Sequence, residues 1–170
     1  IEQVATLIDK PIDDVQIIAL ERPRHHKLFK EINALGAQLH TLSDGDIAAA
    51  LWAARPEGDY DMLLGIGAAP EGVITATAIR GIGGVFEGRL VFRSDAEEAR
   101  AANMIDDDLT RLWSARDLCQ SDDAVFVASG VCDGYLPGVK INQDGTISTF
   151  AEMIDVASRK ITRHDRIHNQ

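Results

Sequence analysis

Cysteine, proline and aromatic residues are all scarce: two Cys, five Pro and 5% aromatics in 170 residues. Cys119 and Cys132 lie in apolar surroundings at a spacing that suits neither a metal knuckle nor a redox pair. That argues against a disulfide-stapled or thiolate-ligated fold, and both read as small core residues. No apolar run approaches the roughly 20 residues needed to span a bilayer. The chain also opens without a charged and apolar leader, so the expected setting is cytoplasmic, with no membrane partner. Cations are short too: 17 Lys and Arg against 27 Asp and Glu leave a formal charge of −10. They are scattered, so a sequence-independent nucleic-acid surface is not expected. Repeats and low-complexity tracts are missing. What remains is 45% hydrophobic and 26% charged, an ordinary globular balance with enough chain for one core. The opening "IEQVATLIDKPIDD" is amphipathic from its first residue and lacks an initiator Met, as expected of a sequence entered in mid-protein.

Short apolar runs alternate with helical stretches, which predicts an α/β domain with a largely parallel sheet. "VQIIAL" (15–20) reads as a buried strand. "PRHHKLFKEINALG" reads as a helix with Pro23 near its first turn and Gly36 as its stop. "QLHTL" predicts a second strand, and Ser43 or Asp44 the N-cap of the helix "DIAAALWAARP". "YDMLLGIG" (60–67) predicts a third strand, and Pro70 opens a helix over "EGVITATAIRGIG". A fourth strand is expected at 85–92, a charged helix at about 94–104 and a shorter helical piece in "TRLWSARDLC", followed by the apolar strand "DDAVFVASGV". The tail reads as antiparallel: "GVKIN" and "TISTFAEMID" joined by the turn "QDG", then "KITRHDRIH".

The unusual residues sit in the three strand-to-helix turns "ERPRH", "SDGD" and "GIGAAPEG". In open α/β sheets the ligand crevice lies at the C-terminal ends of the strands, so all three can face one site. Arg22 and Arg24 bracket Pro23, and alternate residues of an extended turn can aim forked donors at one phosphate; the alternative is two solvated arginines. Asp44 and Asp46 flank Gly45, where one acid can cap a helix and the other sit in its first turn. Otherwise the two carboxylates can accept sugar hydroxyls or hold a hard cation. Glu71 opens a helix where an anion is favoured, as a dipole partner or as a carboxylate that reaches phosphate through a divalent metal.

Three further motifs carry less. "GIGAAP" starts like a dinucleotide fingerprint, but Pro70 replaces the third glycine and Glu87 falls inside a strand. "HDRIH" mimics a paired-histidine zinc helix, yet Asp165 stands for the base and a solvated terminal strand is expected. His25 and His26 read as a surface pair, with His25 a minor candidate for phosphate contact, and Trp52 and Trp113 as core.

In order along the chain, "RPRH", "SDGD" with its small-residue helix, "GIGAAPEGV", "GRL" and "DDAVFVASGVCDG" resemble the C-terminal half of class II fructose-1,6-bisphosphatases, including the cyanobacterial type that also takes sedoheptulose 1,7-bisphosphate. The resemblance covers essentially the whole chain. It implies the layered fold of the sugar-phosphatase and inositol-phosphatase superfamily, Mn2+ or Mg2+ dependence, and hydrolysis of the 1-phosphate of fructose 1,6-bisphosphate in gluconeogenesis. It also implies a substrate-binding turn at Arg22, Pro23 and Arg24, a second at Asp44, Gly45 and Asp46, and Glu71 as a metal ligand. Ala68 stands where that family usually has a substrate-contacting glycine, placing a methyl at a close approach.

The family's first half carries a Glu-rich metal motif and an Asp-Pro-x-Asp-Gly-Thr signature, and neither occurs here. Residues 1–170 are therefore expected to be a substrate-binding, metal-completing domain. Alone it is expected to be inactive, with an N-terminal half supplied in cis or in trans and with homo-oligomers forming. The alternatives are a non-catalytic phosphosugar-binding module and a subunit that needs a separate catalytic chain.

Overall fold

In the computed structural model, which describes residues 1–106 and 108–169, α1 (Glu2–Leu7) leads into β1 (Gln16–Leu20). β1 is the middle strand of a three-stranded parallel sheet, flanked by β2 (Gln38–Leu42) and β3 (Met62–Leu63). Central position explains its sequence. Ile17, Ile18 and Ala19 are fully buried because helices cover both faces, so the strand reads as an unbroken apolar run. On one face Ile17 packs with Ala5 of α1, Ile32 of α2 (His26–Leu35) and Ala37. On the other lies α3 (Asp46–Ala54), which packs beside α4 (Ala69–Ile82).

α2 ends as expected at Gly36, whose φ of 85° suits the left-handed C-cap, and Pro23 opens a 3-10 turn, Pro23–His25, that leads into α2. The cap of α3 differs. Gly45, not Ser43 or Asp44, holds the N-cap position at φ 93°, with no side-chain cap bond, because only a residue without Cβ turns the chain that sharply between β2 and α3. The third strand is also shorter than expected: after the Leu64 N–H, which still donates to Ile18 O at 3.1 Å, the chain turns away towards α4.

The strand expected at 85–92 forms only in part and does not join the parallel sheet. Only β4 (Glu87–Gly88) forms there, paired antiparallel with β5 (Trp113–Ser114) outside the parallel sheet. α5 (Asp95–Met104) forms with Ser94 as its cap, and the shorter helical piece reduces to α6 (Ala115–Leu118), opened by a Ser114–Asp117 capping box.

The tail forms a four-stranded antiparallel sheet. β8 (Ile147–Asp155) pairs on one side with β6 (Val125–Ser129) and β7 (Lys140–Ile141), and on the other with β9 (Ile161–His168). The "QDG" turn appears as expected, with Gly145 at φ 84°. "HDRIH" lies in β9 and is solvated along its length. Phe126 and Ile154 meet Leu51 of α3 and Ala78 of α4, so two helices are sandwiched between two sheets. The approach is close: a Cβ at Gly81 would stand 2.3 Å from Ile154 Cγ2.

A charged cluster pins this second interface. Glu152 is fully buried and accepts from Arg55 Nη2 at 2.6 Å, Tyr135 Oη at 2.6 Å and Arg163 Nε at 3.3 Å.

Several expected core residues lie elsewhere. Cys132 is exposed, Cys119 is half-buried and neither is in a disulfide, because both follow the ends of elements instead of facing a sheet. Trp52 and Trp113 are half-buried. Trp52 meets Tyr60 and Tyr135 edge to face, and the Arg111 guanidinium covers the Trp113 ring.

Candidate functional site

Parallel strands deliver their C-terminal ends to one side, so the turns after Leu20, Leu42 and Leu63 converge. The first turn is tied to the second by the Glu21 N–H, which donates to Leu42 O at 2.7 Å. Arg22 completes that tie. Its Nη1 donates to Glu21 O at 3.1 Å and to Ser43 O, and its Nη2 pairs with Asp44 Oδ1 at 3.0 Å. Arg22 therefore grips the second turn, where the sequence suggested that it and Arg24 would both aim at an anion.

Arg24 spends only its Nε on the protein, donating to Ile66 O at 2.7 Å. Among the described residues its two Nη groups take no hydrogen bond, and the side chain is exposed. The forked end remains available for an oxyanion.

His25 is the main departure from expectation. It is 2% exposed, not a surface residue. Its Nδ1 lies 2.8 Å from Leu20 O and its Nε2 accepts the Ile66 N–H at 2.8 Å, so the ring joins the end of β1 to the third turn. Sequence reasoning missed this because a histidine at a helix start looks the same whether it faces water or the turn beside it. The available signal was Gly65: a Cβ there would stand 3.1 Å from His25 Cε1, a tight contact that the glycine relieves.

The second and third turns meet as well. Asp46, the first residue of α3, bonds the Ile47 N–H through Oδ1 at 3.1 Å, while its Oδ2 would stand 3.0 Å from a Cβ at Gly67. Asp44 is fully out in solvent apart from its contact with Arg22. Ala68 is the N-cap of α4, with no side-chain cap bond, and Pro70 and Glu71 occupy the first turn. Gly72 N–H is the first to bond back, to Ala68 O at 3.2 Å, which leaves the amides of Ala69 and Glu71 at the helix start for an acceptor.

Glu71 is half-buried and its Oε2 is buried with no hydrogen-bond partner. A carboxylate oxygen so placed needs a donor or a cation. Oxygen donors suit a hard divalent ion, and Glu71 fits as one ligand of such a centre. Among the described residues no group of three or more His, Cys, Asp or Glu could hold a metal. Nor, among them, is any helix long and apolar enough to cross a membrane.

The family model described as bacterial fructose-1,6-bisphosphatase, glpX-encoded, matches residues 1–168. The chain belongs to this family. A Haemophilus influenzae relative named fructose-1,6-bisphosphatase class 2 is 34% identical over 99% of the chain and 54% of its own length. An Acaryochloris marina relative named D-fructose 1,6-bisphosphatase class 2/sedoheptulose 1,7-bisphosphatase 1 is 33% identical over 97% of the chain and 51% of its own. A Prochlorococcus marinus (strain MIT 9312) relative with the same two activities in its name is 36% identical over 89% of the chain and 50% of its own. The chain thus spans about half the length of the curated relatives it matches. Membership agrees with the stacked α and β layers.

Proposed function

We propose that residues 1–170 form the substrate-binding, metal-completing domain of a class II enzyme that hydrolyses the 1-phosphate of fructose 1,6-bisphosphate to fructose 6-phosphate. The observation that carries this reading is the meeting of three turns: Arg22 on Asp44, Arg24 on Ile66, and Asp46 beside Gly67. Arg24 binds a phosphate through its two Nη groups. The open amides at the start of α4 donate to further phosphate oxygens. Arg22, fixed by Pro23 on one side and by Ser43 and Asp44 on the other, holds the second turn so that Asp44, Gly45 and Asp46 meet sugar hydroxyls. The methyl of Ala68 borders the bound sugar. Glu71 would hold Mn2+ or Mg2+, which when bound supplies Lewis-acid charge for the phosphoryl oxygens. The remaining ligands belong to the part of the family polypeptide that this chain does not span, joined in cis or in trans within a homo-oligomer. Relatives whose names include sedoheptulose 1,7-bisphosphatase support the seven-carbon bisphosphate as a second substrate.

The test is calorimetric titration of the chain with fructose 1,6-bisphosphate, with and without Mn2+, while inorganic phosphate is monitored. Binding without phosphate release is expected. Arg24→Ala should weaken binding by about tenfold to a hundredfold, the worth of hydrogen bonds to a charged group. Glu71→Gln should remove the Mn2+ dependence. Unchanged affinity in Arg24→Ala would sink the assignment, and phosphate release that Glu71→Gln abolishes would show that the chain carries a complete site.

A further inference from the structure

Both backbone groups of Ile66 are held by one short turn. Arg24 Nε donates to its carbonyl at 2.7 Å, and its N–H donates to His25 Nε2 at 2.8 Å. Ile66 is followed by Gly67, Ala68 and the first turn of α4, so a hold on Ile66 restrains the chain where it enters that helix. Of the two holds, the one from His25 is conditional. A backbone N–H can only donate, so Nε2 must carry its lone pair, and the proton must sit on Nδ1, from which it is donated to Leu20 O at 2.8 Å. An imidazolium has no lone pair, and protonation would set its Nε2–H against the Ile66 N–H.

We propose that His25 is a positioning residue of the phosphosugar site, acting only as the neutral Nδ1–H tautomer, and that acid loosens the site by releasing Ile66. The part that concerns ligand rests on the function proposed above; the hold on Ile66 does not. The charged and titratable residues on the three turns and helix starts that converge here are Glu21 after β1, Arg22 and Arg24 on the turn itself, His26 at the start of α2, Asp44 and Asp46 on the second turn, and Glu71 in the first turn of α4. Among the described residues none of these side chains bonds the imidazole, whose nitrogens are both spent on backbone. Phe29 meets the ring edge-on at 6.1 Å and adds no charge. Gly65 leaves the space that lets the ring reach Ile66. Exposed His26 makes no contact with Ile66, so His26→Gln provides an internal control.

The experiment follows imidazole 15N shifts and protection of the Ile66 amide, corrected for the intrinsic pH dependence of exchange. It runs between about pH 8 and about pH 5.5, the span in which imidazole titrates. Wild type is compared with His25→Gln, whose side-chain oxygen can still accept from Ile66 but does not titrate, and with His25→Ala. Fructose 6-phosphate and inorganic phosphate serve as ligands. Wild type should show the Nδ1–H tautomer and lose Ile66 protection together with about tenfold in fructose 6-phosphate affinity on acidification, in keeping with one hydrogen bond. His25→Gln should keep partial protection and lose the part of the pH dependence that the ligand's own titration does not explain. His25→Ala should be unprotected throughout. Ile66 protection in wild type that is indifferent to pH, or the Nε2–H tautomer, would overturn the proposal without recourse to any variant. Protection that responds while affinity does not would refute the positioning role. A wild type that binds neither ligand at any pH would refute the phosphosugar reading, leaving the Ile66 result to decide the hold itself.

Discussion

Removing the carboxylate of Glu152 tests how the antiparallel sheet is fastened to α3. The group is fully buried, and Arg55, its 2.6 Å partner, has a side chain only 12% exposed. In Glu152→Ala the guanidinium stays in the interior with only the exposed Glu57 carboxylate, 3.7 Å away, as a counter-charge, while Tyr135 Oη loses the acceptor at 2.6 Å. Breaking a buried pair from one side costs about 3–5 kcal/mol, a large share of the roughly 5–15 kcal/mol that holds a domain of this kind together. Arg163 contributes little, because its side chain is 64% exposed and exposed pairs are worth about 0–1 kcal/mol. Glu152→Gln keeps the shape and one acceptor, so it should cost about 2 kcal/mol, near the worth of a hydrogen bond to a charged group. Urea unfolding followed by tryptophan fluorescence is the assay, since Trp52 lies 5.9 Å from the Tyr135 ring. The same cluster makes a prediction in alkali. Burial first, then the Glu152 hydrogen bond, pushes the Tyr135 phenol from 10 up to about 12. The fold favours the neutral phenol, so this contribution is whole below about pH 10 and is lost between about 10 and 12. Tyr135→Phe should lack that step. A Glu152→Ala loss below about 1 kcal/mol would refute the reasoning, because the pair would then be neither dry nor needed.

Two more predictions concern regions outside the site. A Cβ at Gly130 would stand 1.9 Å from the backbone carbonyl oxygen of Pro137, whereas one at Gly134 would meet nothing within 4 Å. Gly130→Ala should therefore cost about 2–3 kcal/mol by overpacking, Gly134→Ala should stay within about 0.5 kcal/mol, and equal urea midpoints would refute the backbone contact. Asp117 is held at about 2, below its ordinary 3.8, first by the Ser114 hydroxyl and amide and then by Arg111. Its contribution is whole above about pH 4 and lost as pH falls towards 2, so the gap between wild type and Asp117→Asn should close over that range, and a constant gap would count against the assignment.

Local chemistry determined much of this protein by itself. The apolar run at 15–20 could only be a covered strand, Pro23 and Gly36 bracket α2 by restricting and freeing φ, and the "QDG" turn joins its hairpin as read. The ordered turns carried the family resemblance, and parallel connectivity was enough to expect them at one edge of the sheet. Tertiary structure alone decided how their residues divide the work. Arg22 and Arg24 look alike in "RPR", yet one reaches Ser43 and Asp44 while the other keeps its fork open, because their partners lie about 20 and 40 residues away along the chain. His25 and His26 are neighbours with opposite fates for the same reason: the 3-10 turn directs one ring at Gly65 and Ile66 and leaves the other in water. The buried Glu152 was equally unreadable, since a charge in an alternating strand is ordinarily solvated and its burial rests on Tyr135 and on Arg55, 97 residues distant. Periodicity and turn chemistry act within a few residues and were legible; pairing across folded layers needs the layers to exist first.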